Sequence, residues 1–427
     1  MGEPRRSDVW LRSLAGYGLV GAPDPAAQPP PIAEVLDEAR GHRLLGVLAA
    51  AVAEGAVDVA PDDRDRVAAA HEDAMREVLL LEDVLLDAVG VLAGAGIDSR
   101  VLKGAALAHM VHPDPAQRCF GDNDVLVAAA DIDAAVAALV AAGATRPVPA
   151  LSSSFDRRFA KSVTLRWSGG TELDLHRTLA AGPYGHLIVL DDLRRDPAEV
   201  ILAGRALTTL PADLHLLHGA IHVALGDIEP RLGHLRDLAL LAARPSIDAP
   251  SVIGTAIRWG CAAPVALGLR ATGVLGHRRA PIEQWGDDFV PDAIDLRRLA
   301  AYGRRDGRFR RQARATWSVL GWRDRLAFSS ALLRPARRPA AVRGSPPAGG
   351  WWSASGRSPG PAPDPEVTGA GRRGGEGVPP PGRPPARPGA PRRGRRRARP
   401  SIRAGGDRGR SMRSTDRART RSRTRRP

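Results

Sequence analysis

The stretch at residues 118–127, RCFGDNDVLV, decides the fold of this chain. Two aspartates, Asp122 and Asp124, follow a glycine and precede an apolar run that is typical of a short buried strand. Side chains alternate between the two faces of a strand, so the two carboxylates point the same way. Taken alone, the spacing fits an acidic Asx-type turn as well as it fits half of a metal site.

A third carboxylate stands in residues 162–176, SVTLRWSGGTELDLH. Two alternating runs flank a Gly-Gly pair, which predicts a β-hairpin with a two-residue turn. Asp174 is the polar residue in the middle of the second run. If that strand lies beside the strand of the first two aspartates, three carboxylates converge and suit one or two Mg²⁺ ions, with Mn²⁺ as the alternative. The competing interpretation pairs Asp174 with Arg166 or Arg177.

A phosphate site is predicted at residues 101–110, VLKGAALAHM. A strand ends at Lys103, Gly104 allows a tight turn and a helix begins at once. The free N–H groups and the positive dipole end of that helix form an anion site. Lysine occurs only at Lys103 and Lys161 among the 62 basic residues, which draws attention to this junction.

The pattern along the chain predicts an α+β fold. Residues 1–31 are Pro-rich and read as irregular, whereas apolar residues recur with a helical period over residues 32–97 and 209–333. Few aromatic residues (4%) and many Ala, Leu and Val favour helices with small-residue packing. We divide the chain into an N-terminal helical region (1–98), a small mixed β-sheet core (99–178), a C-terminal helical region (179–335) and a disordered tail (336–427).

The net charge of +15 belongs to the tail. From Arg343 onwards there are 22 arginines and five acidic residues, so the rest of the chain is nearly neutral. A Pro, Gly, Arg and Ser-rich segment without apolar periodicity predicts disorder. Such a tail can bind nucleic acid through counterion release. It equally suits GC-rich DNA translated in the wrong frame, and both interpretations stay open.

The compartment is predicted from what the sequence lacks. Two cysteines, Cys119 and Cys261, are too few for a disulfide framework. The N-terminus has no apolar signal segment, and no window reaches the ~18 uninterrupted apolar residues of a membrane span. We therefore expect a soluble, cytoplasmic protein without a membrane partner.

Three histidines of one predicted helix, His215, His218 and His222, stand at i, i+3 and i+7. This spacing allows a zinc face. Because no HExxH motif or cysteine accompanies it, we favour packing and structural hydrogen bonds.

The motifs LKGAAL, RCFGDNDVLV, DIDAAVAALVAAGA, ELDLHRTL and DLHLLHGAIHVAL…LGHLRDLALLA, in this order over about residues 101–241, carry a family resemblance. As a set they resemble the bacterial uncharacterised nucleotidyltransferase family of the DNA polymerase beta-like superfamily. The resemblance implies a small mixed-sheet nucleotidyltransferase core in which a strand–helix turn holds the triphosphate. It also implies that Asp122, Asp124 and Asp174 are the metal-binding and catalytic residues.

The resemblance implies roles for neighbouring residues as well. Arg118 matches a basic residue before the acidic pair, and with Lys103, Gly104 and Gly121 we assign it to the nucleotide. His176 matches a histidine after the third carboxylate, as a structural hydrogen-bonded residue or a substrate-side contact. Arg236 and Asp237 are either a salt-bridge face or substrate-side residues.

The function that follows is Mg²⁺-dependent nucleotidyl transfer. The enzyme would move a nucleoside monophosphate from an NTP such as ATP to an unidentified hydroxyl or phosphate acceptor, with release of pyrophosphate. Two departures from the superfamily pattern support an alternative. Asn123 stands where an apolar residue is usual, and a Lys-Gly turn replaces Gly-Ser. A weak or inactive nucleotide-binding or regulatory protein on the same scaffold is therefore the second hypothesis.

Overall fold

A six-stranded mixed sheet forms the centre of the protein, as seen in a computed structural model that describes residues 6–152, 154–226, 230–303 and 308–333. The strand order is β3-β4-β2-β1-β6-β5. The strands are β1 (Ser99–Leu102), β2 (Asn123–Val127), β3 (Ser162–Arg166), β4 (Glu172–His176), β5 (Ala198–Leu202) and β6 (Arg205–Thr209). Every residue of β2 is buried, which explains its continuous apolar run, because a central strand is covered on both faces.

Helices surround this sheet. Those before β1 are α1 (Arg6–Gly16), α2 (Ile32–Gly41), α3 (Leu45–Ala53) and α4 (Pro61–Gly94). Those between the strands are α5 (Lys103–Val111), α6 (Ile132–Ala141), α7 (Phe155–Arg158) and α8 (Gly182–Leu187). Those after β6 are α9 (Ala212–Leu225), α10 (Leu232–Ala242), α11 (Ala249–Arg258), α12 (Ala262–Ala271), α13 (Pro281–Asp288), α14 (Ala293–Leu299), α15 (Arg308–Val319) and α16 (Trp322–Leu333). The α+β class predicted from the sequence is confirmed.

The sheet register positions the aspartates. β2 and β4 are parallel neighbours, and Asp124 stands directly opposite Asp174. On the outer sides, antiparallel β1 places Leu102 opposite Asp124, and antiparallel β3 places Thr164 opposite Asp174. Residues directly opposite on adjacent strands are close neighbours on one face of the sheet. The predicted pairing of the two acidic strands is therefore present.

The β3–β4 hairpin is also present, but its loop is longer than predicted. Five residues, 167–171, join the strands, and residues 168–170 form a 3₁₀ turn. Gly169 and Gly170 have φ of +85° and +88°, a region that favours glycine. The two glycines thus supply the backbone freedom that the sequence predicted. The prediction of a two-residue turn was wrong, because Trp167 and Thr171 also belong to the loop. The Trp167 N–H donates to the Thr171 carbonyl at 2.8 Å.

Two elements escaped the sequence analysis. Residues 6–16, which we read as irregular, form α1, and its residues Trp10, Leu11 and Leu14 are buried. The hairpin of β5 and β6 lies in a region predicted to be helical, and it extends the sheet because β6 pairs in parallel with β1. Both segments are short or partly polar, so their local pattern is weak. The proposed domain boundaries stay a prediction.

No described helix is both long and apolar enough to cross a membrane. The predicted disordered tail, residues 336–427, lies outside the described residues.

Stability is expected to depend on pH through His215 of α9. Its ring is buried, and its Nε2 lies 2.8 Å from the Thr209 hydroxyl. Burial lowers the pKa of His215 to about 4, whereas the unfolded chain binds a proton near 6.5. Protons therefore bind the unfolded chain more readily than the folded protein between these two pKa values. The stabilisation that depends on a neutral His215 is present in full above pH 6.5 and is lost as the pH falls towards 4. Between pH 7 and 5, wild type should lose about 2 kcal/mol more unfolding free energy than His215→Gln. Urea unfolding at both pH values measures this, and equal losses would contradict it.

Candidate active site

Two aspartates from neighbouring parallel strands form the floor of the site. Asp124 and Asp174 are both buried, and the ligand atoms of Asp124, Asp174 and His176 lie within 4.8 Å of one another. Among the described residues, no other group of three His, Cys, Asp or Glu side chains comes together in this way. Carboxylate oxygens so close together repel unless cations neutralise them.

Asp124 is neutralised from two sides. His176 Nε2 lies 2.6 Å from Oδ1, and the Lys103 ammonium lies 2.9 Å from Oδ2. Although burial opposes ionisation, Lys103 and then His176 hold the pKa of Asp124 well below its usual range. Asp124 is therefore a carboxylate with both oxygens engaged. Because its partner His176 is completely buried and contacts Oδ1, the histidine orients Asp124.

Asp174 has a different environment. The Thr164 hydroxyl donates to its Oδ1 at 2.5 Å. The competing interpretation, an ion pair with an arginine, was wrong. Arg166 pairs with Glu172 at 2.8 Å, and Arg177 Nε donates to the carbonyl of Ala160 at 2.9 Å. Among the residues that the structure describes, Asp174 therefore has no arginine partner, and it lies beside Asp124.

Asp122 completes the set at the start of β2. It is half-buried and lines the same cavity as Asp124 and Asp174. Burial and the neighbouring charge of Asp124 raise the pKa of Asp122, while Lys103 opposes this rise. The Asx-turn interpretation does not describe this segment, since residues 123–127 are a strand. Asn123 points to the other face, where its amide donates to the Leu81 carbonyl at 2.8 Å. Asn123 therefore does not enter the acidic cluster, which consists of Asp122, Asp124 and Asp174.

Both lysines of the chain lie at this cluster. Although burial lowers it, the pKa of Lys103 is raised overall by Asp124 and then Asp122. Lys161 stands immediately before β3, and burial followed by the charge of Lys103 lowers its pKa, against the pull of the three aspartates. Only two lysines occur in the chain, and no role was predicted for Lys161 from the sequence. The rarity of lysine in this chain could have indicated a role for Lys161.

The turn between β1 and α5 differs from the prediction. The backbone turns at Lys103, whose φ is +41°, and not at Gly104. Gly104 is needed for space, since a Cβ there would lie 3.0 Å from the ring of Phe120. Lys103 therefore has a strained backbone and also carries the ammonium that pairs with Asp124.

A cavity of about 720 Å³ opens over the carboxylates. This volume is in the range of small-molecule sites. One side is formed by α4, with Glu77, Leu80 and Leu81, and another by the β3–β4 hairpin loop. The predicted site residues that line it are Lys103, Gly104, Arg118, Gly121, Asp122, Asp124, Asp174 and Asp237.

A buried ion network supports one wall of this cavity. Arg118 Nε donates to both oxygens of Asp237, at 2.8 and 2.9 Å, and His112 Nε2 lies 2.8 Å from Oδ1. Burial opposes the charge of Asp237, but Arg118 and then His112 hold the pKa of this carboxyl below its usual range. Arg236 lies elsewhere. It donates to the carbonyls of Ala15 and Tyr17 and so joins α10 to the end of α1, outside the cavity.

Within the described part of the chain, the three histidines of α9 do not form a zinc face. His215 bonds to Thr209, His218 packs with its ring 6.2 Å from that of His176, and His222 lies at the cavity. The packing interpretation therefore describes the first two of them.

Strand aspartates at the floor of a cavity in a mixed sheet are what the sequence resemblance implied, and they define a protein of the nucleotidyltransferase-like class. Residues 29–275, more than half of the chain, match the family model described as uncharacterised nucleotidyltransferase, so the chain belongs to this family. A solved antigenic nucleotidyltransferase-like protein from Paracoccidioides brasiliensis is similar over 47% of this chain and 94% of its own, at 15% identity and a TM-score of 0.28. No curated protein matches the chain.

Proposed function

We propose that this protein is a metal-dependent nucleotidyltransferase that moves a nucleoside monophosphate from an NTP to a hydroxyl or phosphate acceptor. The observation that carries the proposal is the register of Asp124 against Asp174 on parallel strands at the floor of one cavity. Family membership supports the reaction class. ATP is the donor to test first.

The donor set fits a hard divalent cation. Asp122, Asp124 and Asp174 offer carboxylate oxygens, the ligands that Mg²⁺ and Mn²⁺ prefer in phosphoryl-transfer sites. His176 is better suited to hold Asp124 than to bind Mg²⁺, because its Nε2 already faces Oδ1. When bound, the ion would neutralise phosphate charge and align the reacting groups.

The chain's own residues position the reactants. His176 fixes Asp124, and Thr164 fixes Asp174 through Oδ1, which leaves Oδ2 to accept the proton of an acceptor hydroxyl. The acceptor oxygen forms a bond to the α-phosphorus as the bond to pyrophosphate breaks, and pyrophosphate leaves. Positioning and charge neutralisation account for most of the catalysis in such transfers.

A ligand-induced stabilisation tests the carboxylate site. Mg²⁺ with ATP should raise the melting temperature, and ligand at about a hundred times its Kd would add about 2.7 kcal/mol. The double variant Asp122→Asn/Asp124→Asn should lose this shift. Glu77→Gln is the matched control, because it removes a carboxylate from the same cavity but outside the cluster. A shift that survives in the double variant would refute the site.

The transfer itself is tested with each NTP and Mg²⁺ by following pyrophosphate release and the mass of the adduct. A second function, nucleotide binding without turnover, is favoured by one observation. The Lys103 ammonium already neutralises Asp124 at 2.9 Å and competes with a metal for that carboxylate. Tight ATP binding without any pyrophosphate release, across a broad set of acceptors, would support this second function.

A further inference from the structure

Two arginines from distant parts of the chain line the cavity together. Arg43 lies in the loop between α2 and α3, and Arg231 immediately precedes α10. The Gly233 N–H donates to the His42 carbonyl at 2.9 Å. A Cβ at Gly233 would lie 2.8 Å from that carbonyl and 3.1 Å from the Cβ of Arg43. The close approach of these backbones holds the two side chains, hereafter the arginine pair, at one wall.

The arginine pair brings two positive charges to one wall of the cavity. Within the described ranges, no carboxylate lies within ion-pair distance of Arg43 or Arg231, whereas Arg118 is bound by Asp237. Burial lowers the pKa of Arg43, and the positive charges of Arg231 and then Arg118 lower it further. The charge of Asp122 opposes this lowering, but Asp122 does not form an ion pair with Arg43. Like charges brought together are unfavourable, and such arrangements concentrate where a charged ligand binds.

Arg43 also has an unusual backbone. Its φ is +63°, a region that non-glycine residues rarely adopt. Among the described residues that line the cavity, Lys103 also combines a positive φ with a cationic side chain. Strained residues of this kind cluster at ligand-binding sites, where the surrounding structure holds them in place.

Gly121 connects the arginine pair to the carboxylates. A Cβ at Gly121 would lie 2.2 Å from Arg43 Nη2, so the guanidinium lies against the backbone of this glycine. Gly121 directly precedes Asp122 in the chain. A group held by Arg43 would therefore lie next to the acidic cluster.

We propose that Arg43 and Arg231 bind a phosphate chain. The planar guanidinium presents several N–H donors in the geometry that phosphate oxygens accept. Lys103 already forms an ion pair with Asp124. The arginine pair, rather than the Lys103–Gly104 turn predicted from the sequence, therefore neutralises the phosphate charge. This inference rests on the proposed function for the source of the phosphates, which is the donor triphosphate or a phosphorylated acceptor.

Binding of inorganic tripolyphosphate in EDTA tests the arginine pair without any metal. Arg43→Gln and Arg231→Gln should each weaken binding about tenfold or more, since each removes charge-assisted hydrogen bonds. Arg64→Gln is the control, because it removes one charge from an exposed position outside the cavity. The Arg-rich tail is common to all variants, so a difference in binding between Arg43→Gln or Arg231→Gln and Arg64→Gln reports on the cavity.

A second variant reaches the same site without changing any charge. Gly121→Ala should displace only the flexible end of Arg43 and should weaken tripolyphosphate binding while the melting temperature stays near that of wild type. Equal tripolyphosphate affinity in wild type and in a folded Arg43→Gln/Arg231→Gln double variant would overturn the inference.

Competition identifies the source of the phosphates. Displacement of tripolyphosphate by ATP supports the donor triphosphate. Simultaneous binding of ATP and tripolyphosphate, with displacement by inorganic phosphate, supports a phosphorylated acceptor. Because the measurement is made in EDTA, loss of the arginine effect and failure of nucleotidyl transfer are separate outcomes.

Discussion

Asp174→Asn is expected to lower nucleotidyl transfer at least about a hundredfold while the metal-free protein stays as stable as wild type or becomes slightly more stable. Three aspartates face two lysines at this cluster, so removing one carboxylate leaves the charges balanced. Asn keeps an oxygen that can accept the hydrogen bond from Thr164. The loss of activity comes from a missing charge in the transition state, not from a damaged fold.

Two measurements check this expectation. Pyrophosphate release gives the activity, and a thermal melt in EDTA gives the stability. Glu172→Gln is the control, because it removes an exposed carboxylate two residues away on β4. A clearly destabilised Asp174→Asn protein in EDTA would mean that Asp174 has a structural partner and would count against its catalytic role.

Lys103→Met is expected to cost about 3 kcal/mol or more of unfolding free energy in EDTA. Its ammonium pairs with the buried side chain of Asp124, so the variant removes the cation that lies at ion-pair distance from this carboxylate and leaves its charge less compensated. Mg²⁺ supplies the missing positive charge. It should therefore stabilise Lys103→Met more than it stabilises wild type, where the ammonium competes for the same oxygens.

Urea unfolding with EDTA and with Mg²⁺ measures both parts of this prediction. Lys161→Met is the matched control. It removes the same charge, but within the described part of the chain the Lys161 ammonium has no carboxylate at ion-pair distance, so a smaller loss is expected. If Lys103→Met is as stable as wild type in EDTA, the ammonium does not act as the counter-ion of the cluster.

Much of the sheet centre was predictable from local patterns. The apolar run after Asp124 and the alternation around Asp174 predicted β2 and β4, because strand periodicity is a property of neighbouring residues. The Gly-Gly pair indicated the hairpin, since positive φ is rarely adopted by other residues. The length of that loop was not predictable, because Trp167 and Thr171 are residue types that favour strands and so extend the alternating pattern on both sides of the Gly-Gly pair.

The site residues divide in the same way. Asp122, Asp124 and Asp174 could be proposed as site residues because polar residues in apolar strands are conspicuous in a sequence. Lys103 was noticed because it precedes a glycine. Its ion pair with Asp124 was not predicted, since this contact depends on the antiparallel register of β1 and β2. That register is a property of the sheet and not of the turn.

The sequence by itself determined the strands β1 to β4, the presence of the β3–β4 hairpin and the acidic set, since each depends on residues a few positions apart. Only the tertiary structure decided which lysine and arginine side chains lie close to the three carboxylates. Arg43 and Arg231 are brought to one wall by a backbone hydrogen bond between His42 and Gly233, and Lys161 comes to the cluster beside β3. Contacts across such separations follow from the order in which strands and helices pack, and no local periodicity encodes that order.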